Sequence, residues 1–216
     1  MVIRASRTLV IETATAACSV ALIEQGRVVA ALHEIVGRGH AERLVPMIAE
    51  LPEGGRAGHI LVDIGPGSFT GVRVGLAAAK GLALGWQAGL AGYSSTALIA
   101  SAALTADPAL AALAVVLEGG HGEVFMASYA ASPFAETRAL RSLKPEAALA
   151  ALGGLTAIGN GVRFLTALDP TIDARETLPE AAGAIALPPP FAALPPRPLY
   201  GRAPDAKIPG AKIPDA

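Results

Sequence analysis

Apolar positions alternate with turn chemistry from the start of the chain. Leu9-Val10-Ile11 is a short β-branched run, followed by the small polar cluster Glu12-Thr13-Ala14-Thr15. Cys18 to Ile23 and Val28 to His33 are two more apolar runs, separated by Glu24-Gln25-Gly26-Arg27. Three such runs predict an antiparallel meander, with Gly26 supplying positive φ in the turn. From His40 the period becomes helical. Leu44, Met47, Ile48 and Leu51 fall on one face, with Glu42 and Arg43 outside. Pro46 is expected in the first turn or at a kink, and Pro52-Glu53-Gly54-Gly55 ends the helix.

His59 to Ile64 predicts a strand, and after Gly65-Pro66-Gly67 a second helix covers Thr70 to Gln87. That helix carries Gly71, Gly75, Gly81 and Gly85, each costing up to about 1 kcal/mol relative to alanine. Gly71, Gly75, Ala79 and Ala83 recur every four residues and make a smooth face that another backbone can approach closely. An ordinary buried helix fits the same stripe. Leu90 to Tyr93 is a short strand, and Ser94-Ser95 caps a helix to about Leu104.

Ala106-Asp107-Pro108 marks a boundary between a first unit, 1–105, and a second, 106–200. The second opens with a hairpin: Leu113 to Glu118, a turn at Gly119-Gly120-His121-Gly122, then Glu123 to Tyr129. Thr137 to Leu143 adds a strand, Lys144-Pro145-Glu146 starts a helix, and Ala157-Ile158 ends in the turn Gly159-Asn160-Gly161. A proline-rich stretch follows from Leu187. The tail 201–216, with its echo of Lys207-Ile208-Pro209 in Lys212-Ile213-Pro214, is expected to be disordered. Both halves begin with hairpin-joined strands and continue with helix–strand alternation, which predicts an internally duplicated α/β fold with mixed sheets.

Composition narrows the function classes. Hydrophobic residues make up 52% and charged residues 16%, a globular balance, while aromatics reach only 4%. Interfaces are therefore expected to be closely packed through small residues. With 17 basic and 18 acidic residues the net charge is −1, which argues against a broad nucleic-acid footprint and leaves RNA to be reached through a partner. Cys18 is the one cysteine, so an intramolecular disulfide is excluded, and its apolar surroundings predict a buried thiol. Arg4 and Arg7 precede no uninterrupted apolar segment, and no charge-free run of membrane-spanning length occurs. A cytoplasmic protein without a membrane segment is expected.

Candidate chemistry centres on Gly65–Gly71, between a strand and a helix, where backbone amides could hold an anion. No Lys-Ser/Thr pair follows, and Thr70 stands where the dinucleotide fingerprint needs a third glycine. A structural turn and a phosphate cradle both remain open. Ser68 lacks the glycine flanks of a nucleophile elbow, and Ser68 or Thr70 reads as an N-cap, so a peptidase using Ser68 or His121 ranks low. His33, His40, His59 and His121 are scattered, and His40 has Leu44 rather than a second histidine four residues on. No metal site is expected, and His40 reads as solvated or capping. Glu12 and Glu118 each end the first strand of their half, where actin-like ATPases keep a carboxylate near the phosphates.

The segment Gly65-Pro66-Gly67-Ser68-Phe69-Thr70-Gly71-Val72-Arg73 closely resembles the TsaB (YeaZ) family of bacterial tRNA-modification subunits. So do Ile11-Glu12-Thr13-Ala14-Thr15, Cys18-Ser19-Val20-Ala21-Leu22 and the stretch from His40 to Pro46. Gly122-Glu123-Val124-Phe125, Lys144-Pro145, Gly159-Asn160-Gly161 and Pro198-Leu199-Tyr200 with Arg202 follow the pattern more loosely. The resemblance implies the duplicated actin/hexokinase/Hsp70-like (ASKHA) fold. It implies a non-catalytic subunit that holds a larger catalytic relative, TsaD, together with the small ATPase TsaE. Their complex moves a threonylcarbamoyl group onto the adenosine beside the anticodon of tRNAs reading codons that start with A.

In the catalytic relative the helix equivalent to His40–Leu51 carries two metal-binding histidines, of which only His40 is kept here. The implied partner surface lies on the two N-terminal helices, with Leu44, Met47, Ile48, Leu51, Gly71, Gly75, Ala79, Leu82 and Ala83 as candidates. The same surface would serve a homodimer when the chain is alone. Glu12, Thr13, Ser68 and Glu118 are the candidates for a vestigial nucleotide cleft. No cofactor is required, with at most weak nucleotide binding at a subunit joint, and tRNA is contacted only indirectly. Glu12 replaces the family's usual Asp, and Glu118-Gly119-Gly120 departs from its usual turn. The loops at Gly54-Gly55 and Pro188 to Pro196 are shorter. The runner-up reading is an actin-fold ATPase or small-molecule kinase built on Glu12, Ser68 and Glu118.

Overall fold

The computed structural model describes residues 7–199. The expected tail 201–216, and Tyr200 and Arg202 of the family-like pattern, lie outside the described residues, as does Arg4. The first half runs β1 (Arg7–Glu12), β2 (Ala17–Glu24), β3 (Arg27–Ile35), α1 (His40–Glu50), β4 (His59–Asp63), α2 (Phe69–Trp86), β5 (Gly89–Tyr93) and α3 (Ser95–Ala106). The second runs β6 (Ala112–Glu118), β7 (Val124–Ala131), β8 (Phe134–Leu143), α4 (Pro145–Leu152), β9 (Thr156–Ile158), α5 (Val162–Thr166) and β10 (Ala174–Arg175).

The two sheets repeat one plan. The first has the order β3-β2-β1-β4-β5 and the second β8-β7-β6-β9-β10. In each, the opening three strands form an antiparallel meander and the last two join in parallel through helical crossovers. This is the duplicated ASKHA-type fold. The β2–β3 turn places Gln25 as well as Gly26 at positive φ, 50° and 72°, the primed geometry that matches strand twist.

Period-two alternation in β1 sends Leu9 and Ile11 to one face and Val10 to the other. The first face, with Val20, Leu22, Ile60 and Val62, packs under Leu44, Met47 and Ile48 of α1 and Val72, Leu76 and Ala79 of α2. The other face, with Ala21, Leu61 and Tyr93, shares a central core with α3 and with Leu113, Val115, Leu117 and Tyr129 of the second sheet. The far face of the second sheet buries Ala114, Val116, Val124 and Met126 beneath α4 and α5.

Two placements differ from the sequence pattern. Pro46 is the seventh residue of α1, inside the helix. It lies on the exposed side, where its missing N–H can be compensated by water. The stretch expected to belong wholly to the second half is also divided. Residues 112–175 build the second sheet, but a helical turn at Ala181–Ala186 crosses to the first, where Ala181 N donates to Ser19 Oγ at 3.0 Å. Leu194 bridges Gly92 beside the outer strand β5, and Leu199 N donates to Ile64 O at 2.8 Å. Ala181, Ala184 and Leu187 drive this return because they complete the central core, and the bridge protects an exposed sheet edge.

Candidate functional site

The C-terminal ends of β1 and β4 and the start of α2 meet where the glycine-rich segment lies. Gly65 has φ 101°, a conformation that side chains rarely tolerate. Backbone then approaches backbone: a Cβ at Gly67 would collide with Ala14 O, at Gly71 with Thr13 O, and at Gly75 with Thr13 Oγ1. The glycines of α2 therefore admit the turn after β1 into the helix face. Ser68 N donates to Ala14 O at 2.6 Å, and Thr13 Oγ1 donates to Gly71 O at 2.8 Å. Gly71 N is capped by Ser68 Oγ at 3.2 Å, and Gly65 N donates to Asp63 Oδ1 at 3.0 Å. The amides of Gly65, Ser68 and Gly71 thus bond the protein's own oxygens, as a structural turn requires.

This geometry corrects the candidate partner face. Gly71, Gly75 and Ala79 point inward at β1 and its turn, while Leu82 and Ala83 are half-buried against the same core. Leu44, Met47, Ile48 and Leu51 are buried too. What α2 leaves to solvent is its opposite side: Phe69, Thr70, Arg73, Ala77, Lys80, Gly81, Leu84 and Gly85. Phe69 is 59% exposed, Leu84 84%, and Val45 of neighbouring α1 58%. The Arg73 guanidinium lies 3.4 Å from the Phe69 ring centroid, a cation–π contact that fixes the ring at the head of the helix.

The four residues of the candidate nucleotide cleft do not form an open site. Glu12 is fully buried, its Oε1 accepting from Ala14 N at 2.9 Å and its Oε2 from Tyr93 OH at 3.0 Å. Thr13 is buried by its bond to α2, and Ser68 serves as the α2 cap. Glu118 is exposed and faces Arg163 at 2.7 Å, while its N–H donates to Asn160 Oδ1 at 3.0 Å. The two strand-end glutamates have opposite environments.

Sequence reasoning missed Asp63 and Tyr93, which complete the cluster around Glu12. Asp63 Oδ1 accepts from Gly65 N and, at 2.8 Å, from Ser95 Oγ at the head of α3. Burial pushes the Asp63 carboxyl up to about 7. Burial and then the neighbouring Asp63 charge hold Glu12 well above the carboxylate range. The signal was a lone acid in Ile60-Leu61-Val62-Asp63-Ile64, a run apolar enough to be buried throughout.

His40 is buried rather than solvated. Its Nε2 donates to Ala17 O at 3.1 Å and pins the start of α1 to β2. Four residues on, Leu44 packs into the outer core. Among the described residues no three His, Cys, Asp or Glu side chains gather as a metal site would require, and no helix is long and apolar enough to cross a membrane. Cys18 is buried, and burial raises its thiol to about 11.

The repeated sheets make this an ASKHA-type protein, and comparison with known proteins makes the assignment finer. The family model described as TsaD, tRNA N6-adenosine threonylcarbamoyltransferase, matches residues 30–147, more than half of the chain. The chain belongs to that family, on its TsaB (YeaZ) branch. It is 41% identical over 130 residues to the tRNA threonylcarbamoyladenosine biosynthesis protein TsaB of Escherichia coli K12, covering 57% of this chain and 54% of that protein. The tRNA N6-adenosine threonylcarbamoyltransferase of Anaeromyxobacter dehalogenans 2CP-C is 32% identical over 168 residues, covering 66% of this chain and 48% of that one. The match therefore spans about half the length of these curated relatives. YeaZ from Pseudomonas aeruginosa superposes with a TM-score of 0.74 at 27% identity, covering 90% of this chain and 99% of that structure.

Proposed function

We propose that this chain is the non-catalytic holding subunit of the complex that adds a threonylcarbamoyl group to the adenosine beside the anticodon of tRNAs reading A-starting codons. The observation that carries the reading is on α1. Where a metal-binding pair of histidines would serve catalysis, His40 is spent on Ala17 O and its companion position is Leu44, buried in the core. A helix face so committed cannot hold a metal at an open position. The family match to a threonylcarbamoyltransferase and the likeness to TsaB supply the reaction to which this subunit is assigned.

The partner surface is the solvent side of α2, with Phe69, Ala77, Gly81 and Leu84, joined by Val45 of α1. Phe69, Leu84 and Val45 are large apolar side chains left exposed beside Arg73 and Lys80, a mixed face that suits a partner covering it. The occupant is the larger catalytic relative, with a small ATPase joining the assembly. A second copy of this chain takes the same surface when the relative is absent. Tagged wild-type chain should co-purify the catalytic relative, and Leu84→Arg should lose it while keeping the wild-type circular dichroism and melting temperature. Undiminished capture by Leu84→Arg would remove α2 from the interface.

A further inference from the structure

Glu12, Asp63 and Tyr93 form one row across three neighbouring parallel strands. Ile11 pairs with Val62, so the residues that follow, Glu12 and Asp63, are side by side, and Asp63 pairs with Tyr93. In-register side chains on parallel strands point the same way, and here both carboxyls are fully buried. Two anions so placed cannot both be kept.

The hydrogen-bond donors are divided unequally between them. Asp63 Oδ1 takes Gly65 N and Ser95 Oγ, at the head of α3, where helix amides favour negative charge. Asp63 Oδ2 is buried and receives no hydrogen from any of these groups. Glu12, already accepting from Ala14 N and Tyr93 OH, lies within hydrogen-bonding reach of Asp63. A proton on Glu12 satisfies the Asp63 carboxylate. Tyr93 from β5 is the titratable neighbour that bonds the pair, and it cannot carry positive charge; Cys18 of β2 points to the other face of the sheet. The glycine-rich loop and α3 meet it with the Gly65 amide and the Ser95 hydroxyl. That hydroxyl also reaches Pro66 O at 3.1 Å, so the cluster touches the loop, α2 and α3 together.

We propose that Glu12 and Asp63 hold one proton between them and that it acts as a latch. It seats the Gly65–Ser68 loop and the first turns of α2 and α3 on the ends of β1 and β4, and its loss loosens them. The sign follows from linkage. Both carboxyls bind their protons more tightly folded than unfolded, so stability is complete below the unfolded value of about 4. It declines as pH rises through 7, where Asp63 ionises, and keeps declining while Glu12 retains the shared proton. Each retained proton weakens the folding equilibrium about tenfold per pH unit.

The test uses the full chain as wild type, Glu12→Gln and Asp63→Asn. Urea unfolding from pH 7 to 9 should show a wild-type folding constant that falls about tenfold per unit. Glu12→Gln, which donates an N–H to Asp63 without titrating, should lose that slope and keep only the shallow fall toward pH 9 that the raised Cys18 thiol gives. Amide exchange over residues 65–75, corrected for intrinsic chemistry, should speed up with pH in the wild type alone. The infrared protonated-carboxyl band should be present at pH 8 in the wild type and absent in Glu12→Gln. An equal pH slope in Glu12→Gln, or no such band in the wild type at pH 8, overturns the latch. If both variants fail to fold, the wild-type band at pH 8 decides the matter alone.

Discussion

Replacing Gly71 with alanine tests the closeness of α2 to the turn after β1. Gly71 lies in an α-helix, where alanine is intrinsically better by about 1 kcal/mol. At this position, however, the new methyl would run into Thr13 O. Backbone cannot yield as a flexible side chain does, so α2 must lift from β1. Overpacking of this kind costs about 1–3 kcal/mol. The bond from Thr13 Oγ1 to Gly71 O stretches with it, at about another 1 kcal/mol. The expected net effect of Gly71→Ala is a loss of about 1–3 kcal/mol. Gly81→Ala on the same helix meets nothing within 4 Å and should gain up to about 1 kcal/mol. Urea titration should therefore move the two midpoints in opposite directions at an unchanged slope. If Gly71→Ala stabilises the protein as Gly81→Ala does, the helix does not sit as described.

Leu44→Ala should cost about 2–5 kcal/mol because the side chain is buried against the first sheet. Val45→Ala, on the exposed side of the same helix, should stay within about 0.5 kcal/mol, and equal losses in urea unfolding would contradict the assigned faces. Tyr93→Phe removes the donor to Glu12 Oε2 and Ile11 O and should cost about 1–3 kcal/mol; a neutral result would show that the hydroxyl supports neither. Cys18 is buried, with its thiol raised to about 11. Labelling with a neutral alkylating reagent at pH 8 should be slow in the native protein and fast in urea, and fast native labelling would place the thiol at the surface.

Much of the fold was legible because local chemistry dictated it. The first three strands follow from apolar runs cut by Gln25-Gly26, the start of α1 from the period change at His40, and the start of α2, to within a residue, from the glycine-rich turn before Thr70. Even the duplication showed, since both halves begin with the same hairpin order. What the pattern could not supply was direction. The stripe Gly71-Gly75-Ala79 announces a close neighbour, but that neighbour is Thr13, 58 residues away in the case of Gly71, and periodicity carries no record of which chain segment fills a groove. Asp63 was hidden for a related reason. A single acid inside an apolar run gains meaning only when strand pairing sets Glu12 beside it. The return of residues 181–199 to the first sheet was likewise unreadable, because alanines and prolines there have no period to follow.

The central claim, a subunit that holds the catalyst without being one, is tested most directly by reconstitution. Unmodified tRNA reading an A-starting codon is incubated with the threonylcarbamoyl adenylate, and the modified nucleoside is measured by mass spectrometry after digestion. The account predicts no modification with this chain alone, modification when the catalytic relative and the small ATPase are added, and loss of that gain with Leu84→Arg. Modified nucleoside formed by this chain alone would contradict it.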